Sequence, residues 1–146
     1  MHQDLPRETS LHLRDTCLCL HLQRAARVVA RRFDEAFRPL DLTNYQFSLL
    51  LSLNRPEAPS MGSVSAALAM DRTTLTANLK PLQRRGLVKV APDPDDKRSR
   101  RLSLTPSGRA LLVAALPIWK RTHAALDRLL GPSGPDRLRA DLRALS

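Results

Sequence analysis

Between Ser60 and Thr105 the hydrophobic pattern changes period, and that change limits the fold more than any other feature of the chain. Residues 72–85 read as a helix. Leu75, Leu79 and Leu82 recur at i, i+4 and i+7, so they share one face, and that face is buried. Asp71 is placed to cap its start, because a carboxylate there accepts the first free backbone N–H groups. Gly86 is placed to stop it, because glycine tolerates the left-handed turn that follows a helix. The period then drops to two. Residues 87–91 read Leu-Val-Lys-Val-Ala and residues 101–104 read Arg-Leu-Ser-Leu, two short strands. The loop between them holds two prolines and three aspartates, which prevent helix, and it ends in a basic run.

A shorter helix is predicted ahead of this unit over 61–69, with Met61, Val64 and Leu68 facing inward. Helix, turn, helix and a long-tipped hairpin together make a winged helix. In that arrangement the second helix enters the DNA major groove and the wing reaches beside it. At about 100° per residue, Thr73, Thr76, Ala77, Lys80 and Arg84 gather opposite the leucines. Hydroxyl, methyl and basic groups there suit a face that reads base edges and phosphates. Taken alone, the same helix would pass for a solvated amphipathic one.

Charge favours the DNA reading. The chain of 146 residues has a formal net charge of +10. Residues 72–101 carry nine Lys or Arg against three Asp, a net +6 in about a fifth of the chain. That is the footprint of a polyanion site. A membrane surface is the rival polyanion, but the cations sit on a helix and hairpin rather than on an amphipathic helix with aromatic anchors. No apolar run is long enough to span a bilayer, and no signal-peptide pattern opens the chain, so a cytoplasmic protein is expected.

The stretch resembles the multiple-antibiotic-resistance regulator (MarR) family of bacterial transcription factors. The residues that carry the resemblance are Met70-Asp-Arg-Thr-Thr-Leu-Thr76, Leu82-Gln-Arg-Arg-Gly-Leu-Val88, Asp96-Lys-Arg98 and Leu102-Ser-Leu-Thr-Pro-Ser-Gly108. The resemblance implies a homodimeric regulator of double-stranded DNA, expected here to be a repressor on a pseudo-palindromic operator. It also implies that Arg98 enters the minor groove and that Asp96 orients it. Thr73, Thr76, Lys80 and Arg84 are then expected in the major groove. Arg72, Arg85, Lys97, Arg100 and Arg101 are expected on phosphates. About six neutralised phosphates predict a log–log salt slope of about −5.

The flanks fit this scheme. Residues 1–9 are polar and expected to fray. One long helix is predicted over 10–37, with Leu18, Leu22, Ala26, Val29, Phe33 and Phe37 on its apolar stripe. A second helix, 45–54, is capped by Thr43 or Asn44, and Phe47, Leu50, Leu51 and Leu53 suggest burial on more than one side. Thr105-Pro106 opens a helix that reaches Leu130, with a kink expected at Pro117, and a last helix covers 135–145. Pro81 should likewise bend the helix at 72–85, as a kink tolerated by packing. The expected organisation is mainly α with a small β-hairpin wing: 1–40 and 105–146 are dimerisation helices and 41–104 the winged helix-turn-helix, in one compact domain. The outer helices carry more apolar surface than a winged helix alone would cover, and a second copy is the simplest cover.

Other chemistries are weaker. Small amphipathic or phenolic effectors are implied by the resemblance alone, with His21, Arg24, Tyr45 and Trp119 as candidate lining residues. Cys17 and Cys19 differ by about 200° on a continuous helix, so only one can face the core. The position of Cys19 resembles that of the hydroperoxide-sensing branch of the family. However, Gln23 and Phe33 stand where that branch has tyrosines, and a buried, inert cysteine is the better reading. His2, His12, His21 and His123 form no metal-ligand spacing, so no metal or other cofactor is expected. No GxSxG, HExxH or phosphate-cradling glycine loop is present, and the chain is read as a non-enzyme. A non-specific architectural DNA binder is the remaining alternative.

Overall fold

In the computed structural model, which describes residues 4–146, the elements follow in the order α1 (Arg7–Thr16), α2 (Leu18–Phe37), a 3-10 turn (Arg38–Leu40) and α3 (Asn44–Ser52). Then come α4 (Met61–Ala67), α5 (Arg72–Arg84), strands β1 (Val88–Pro92) and β2 (Arg100–Leu104), α6 (Pro106–Leu130) and α7 (Gly134–Ala144). Of the frayed start expected at 1–9, residues 1–3 and with them His2 lie outside the described residues, and residues 7–9 are helical.

The first long helix is two helices. The chain leaves helical geometry at Cys17, which is extended at φ −67°, ψ 106°. No Pro or Gly announces the break. Local side-chain bonds accompany it: the Thr16 hydroxyl donates to the His12 carbonyl at 2.7 Å, and the Cys17 sulfur accepts the Leu20 N–H at 3.5 Å. Cys17 therefore caps α2 and does not share a helix face with Cys19. Both thiols are exposed in the single chain, which corrects the expectation that one of them faces its core.

The winged-helix unit is built around a continuous core. Phe37 stacks on Phe47 with ring centroids 4.8 Å apart, and Leu49, Leu50, Val64, Leu75, Leu82 and Leu102 are fully buried around them. Leu51, expected inside, is exposed. Thr43 and Gln46 close a reciprocal capping box at the start of α3, at 3.2 and 3.1 Å. Ser60 caps α4 by accepting the Ser63 N–H at 3.1 Å.

The hairpin pairs antiparallel from Val88 opposite Leu104 to Pro92 opposite Arg100. Thr105 then caps α6, accepting from Gly108 N–H at 3.0 Å while its hydroxyl donates to the Gly86 carbonyl at 2.6 Å. Gly108 is there for space: a Cβ on it would lie 2.1 Å from the Leu87 carbonyl oxygen. α6 continues through Pro117 and packs on α2 and α3. Beyond this core, α1, α2, α6 and α7 expose Leu11, Leu13, Leu18, Val28, Leu116, Leu129, Leu138 and Leu142. No helix of the described residues is long and apolar enough to cross a membrane.

Candidate nucleic-acid interface

The second helix of the helix-turn-helix is positioned from its buried side. Leu75, Leu79 and Leu82 are at most 3% exposed and hold α5 on the core. Asp71 caps it through both carboxylate oxygens, accepting the Thr74 N–H at 2.8 Å and the Thr74 hydroxyl at 2.9 Å. Those bonds, the backbone one first, hold the Asp71 carboxyl below its ordinary value. Gly86 ends the helix at φ +69°. With three side chains fixed inward, Arg72, Thr73, Thr76, Lys80 and Arg84 are all exposed. α5 runs through Pro81, which opens its last turn and is half-buried.

The wing tip is a closed loop. Asp93 N–H donates to the Ser99 carbonyl at 3.1 Å, and Ser99 N–H donates to the Asp96 carbonyl at 2.9 Å. The Asp96 side chain accepts the backbone N–H of Arg98 at 3.0 Å. It therefore shapes the backbone that carries Arg98; no bond to the Arg98 guanidinium is formed. Lys97, Arg98 and Arg100 are exposed.

Two cations expected on phosphates are occupied within the chain. Arg85, the C-cap residue of α5, reaches across to the α2–α3 junction and donates to the carbonyls of Asp41 and, at 3.1 Å, of Leu40. Asp41 is left-handed there, at φ 50°. Arg101 donates through Nε to Asp93 at 2.7 Å and through Nη1 to the Ala58 carbonyl at 3.1 Å. Among the described residues Asp93 is the one buried charged side chain, 5% exposed. The Asp95 backbone N–H at 2.9 Å holds its carboxyl below the ordinary value, and Arg101 adds to this against the desolvation. Asp93 was not singled out in the sequence. An aspartate among three in a charged loop gives no sign of burial.

The four candidate effector residues do not share one cavity. His21 and Arg24 line a shallow hollow on α2 of about 380 Å³ with Ala25 and Val28, and neither Tyr45 nor Trp119 belongs to it. Tyr45 is exposed, while Trp119 packs against the core and stacks on His123 at 4.6 Å. Cys19 accepts the Gln23 amide at 3.3 Å. No group of three or more His, Cys, Asp or Glu among the described residues is arranged to hold a metal.

This geometry can be set beside known proteins. A MarR-family profile matches residues 40–99, which span the α2–α3 junction, the helix-turn-helix and the wing tip. The Mycobacterium tuberculosis transcriptional regulator MosR, solved in complex with DNA, is 38% identical. It superposes with a TM-score of 0.79, over 88% of this chain and 92% of that one. The chain belongs to the MarR family. The transcriptional repressor CouR, solved on a 23-mer DNA duplex, is 31% identical with a TM-score of 0.80, and the match covers 98% of this chain and 99% of that one. Among curated proteins, the transcriptional repressor NicR of Pseudomonas putida is 38% identical over 76 residues, 52% of this chain. The matched region spans about half the length of such curated relatives, 48% for NicR. The fold expected of a MarR-family member is the one observed: mainly helical, with a two-stranded wing between the helix-turn-helix and the flanking C-terminal helices.

Proposed function

We propose that this chain is a sequence-specific DNA-binding transcriptional repressor that acts as a homodimer on a pseudo-palindromic operator. The observation that carries the reading is the two-sidedness of α5. Three buried leucines lock it to the core, and the opposite face presents Thr73, Thr76, Lys80 and Arg84 beside a wing that carries Lys97, Arg98 and Arg100. The DNA complexes of MosR and CouR support it, since both relatives share this fold.

On DNA, α5 lies in the major groove. The threonines offer hydroxyls to base edges and methyls to thymine, and Lys80 and Arg84 donate to guanine edges or phosphates. Arg72, Lys97 and Arg100 contact phosphate, and Arg98 enters the minor groove, where a guanidinium reads groove width. Exposed leucines on the outer helices supply the dimer surface, so that two copies of α5 reach major grooves about 34 Å apart. DNase footprinting on the chain's own upstream DNA tests this: a two-fold protected site supports it, and protection without two-fold symmetry refutes the dimeric reading.

The repressor reading includes release by a small amphipathic or phenolic effector, seated where the outer helices meet the winged helix. The basic and apolar side chains that His21, Arg24, Ala25 and Val28 present together on α2 are compatible with an anionic amphipath. Calorimetric titration of the protein with aromatic acids reports binding. A flat titration together with unchanged DNA affinity removes the effector from the account. A second reading places the signal at Cys19, favoured by its exposure and its Gln23 donor. Diamide or hydroperoxide release from DNA that Cys19→Ser abolishes would select it.

A further inference from the structure

Besides its apolar contacts with the core, the wing is bonded to the loop that precedes α4, and that junction contains the buried carboxylate. Arg101 binds Asp93 with Nε and the Ala58 carbonyl with Nη1. The adjacent Leu102 N–H donates to the Pro59 carbonyl at 2.9 Å, and Arg101 bridges Ser60 in the strand sense. Ala58, Pro59 and Ser60 lead directly into α4, which packs on α5. Asp93 in turn closes the wing tip through Ser99 and Asp95. A chain of bonds therefore runs from the start of the helix-turn-helix, through Arg101 and Asp93, to the loop that carries Arg98.

We propose that Asp93 and Arg101 form a positioning pair that fixes the wing relative to the recognition helix and so sets discrimination between DNA sequences, not overall attraction to DNA. This rests on the reading that α5 and the wing bind DNA. Charge counting assigns Arg101 to a phosphate. The geometry assigns it elsewhere: two of its donors are already bound inside the chain, and the carboxylate 2.7 Å away cancels its charge. A pair of zero net charge adds little to polyanion attraction, whereas a bidentate guanidinium between a carboxylate and a carbonyl sets direction.

Two substitutions separate the accounts by sign. Asp93→Asn removes a negative charge from a DNA-facing wing, so electrostatics alone predicts tighter binding to every DNA. The positioning account predicts about tenfold weaker binding to the operator, with binding to scrambled DNA unchanged or slightly stronger. Arg101→Lys keeps the charge but loses the two-pronged geometry. A phosphate contact would tolerate it, and the positioning account predicts the same loss as Asp93→Asn, with the double variant no worse than either single one.

Hydrogen exchange at the Leu102 amide, measured on the free protein, reports the tie without DNA. It should accelerate in both variants while α5 amides stay protected. Tighter binding by Asp93→Asn, a tolerated Arg101→Lys, or unaltered exchange at Leu102 overturns the proposal. If the exchange changes as expected but Arg98→Ala leaves discrimination intact, the tie stands as structure. In that case the role assigned to the wing fails, and with it the role of the pair in discrimination.

Discussion

Arg98 and Arg101 stand three residues apart with the same charge, and the fold gives them opposite surroundings. Arg98 is exposed on a loop whose backbone Asp96 shapes; Arg101 is held against Asp93 and Ala58. Arg98→Ala should therefore weaken binding to the operator by about 1–3 kcal/mol and to scrambled DNA much less. Competition binding checks it, and equal losses on both DNAs would make Arg98 a plain phosphate contact. Asp93 gives a second prediction. Its carboxyl is held below the ordinary value, so the ionised form is the one the fold favours. Its contribution to stability is complete above the ordinary aspartate value and is lost as pH falls through the lowered one. The stability gap between the native chain and Asp93→Asn should stay constant from about pH 7 to 5 and close below about pH 4. Urea denaturation across that range measures it, and a gap that ignores pH would show that the charge is immaterial. Exposed site residues such as Thr73 and Lys80 could be placed from helical spacing alone. Asp93, Arg85 and Arg101 could not, because their partners lie on other elements: Arg85 bonds carbonyls 44 and 45 residues away.

α5 was legible from end to end because each of its controls is local. Asp71, three leucines in register and Gly86 act within one stretch of sequence, and the observed span of Arg72–Arg84 follows. The break at Cys17 was not legible. No Pro or Gly marks it, and the bonds that accompany it come from a threonine hydroxyl and a thiol that fit equally well inside a helix. The contact between α6 and the hairpin was only half legible. Thr105-Pro106 announces a helix start, but the reason for Gly108 is the Leu87 carbonyl beneath it. Gly108→Ala should displace α6 and destabilise the chain by roughly 1–3 kcal/mol or somewhat more, as overpacking against backbone does. Thermal unfolding would show this, and a neutral substitution would mean that helix and hairpin can part freely. At the other end of α5, Arg85 anchors the helix to the α2–α3 turn. Arg85→Ala should lower stability by about 1 kcal/mol and leave the salt slope of DNA binding unchanged. A slope reduced by about one would return Arg85 to the phosphates.

At the scale of the molecule, basic charge is densest where exposed leucines are absent. Residues 72–101, on α5 and the wing, carry a net +6 in about a fifth of the chain, whereas most of the exposed leucines lie on α1, α2, α6 and α7. That arrangement suits the proposed dimer, which would form through one surface while DNA is held by the other. With Arg85 and Arg101 committed inside the chain, the free phosphate contacts fall to about four per copy. The salt slope should then be about −3.6 for one copy and about −7 for a dimer on two half-sites. The most direct test is binding of the purified chain to its own upstream DNA at two salt concentrations, with scrambled DNA as competitor. Tight binding that survives the competitor, with a slope near the dimer value, is the predicted result. Affinity lost equally to both DNAs would contradict a sequence-specific regulator and leave a basic winged helix that holds DNA without reading it.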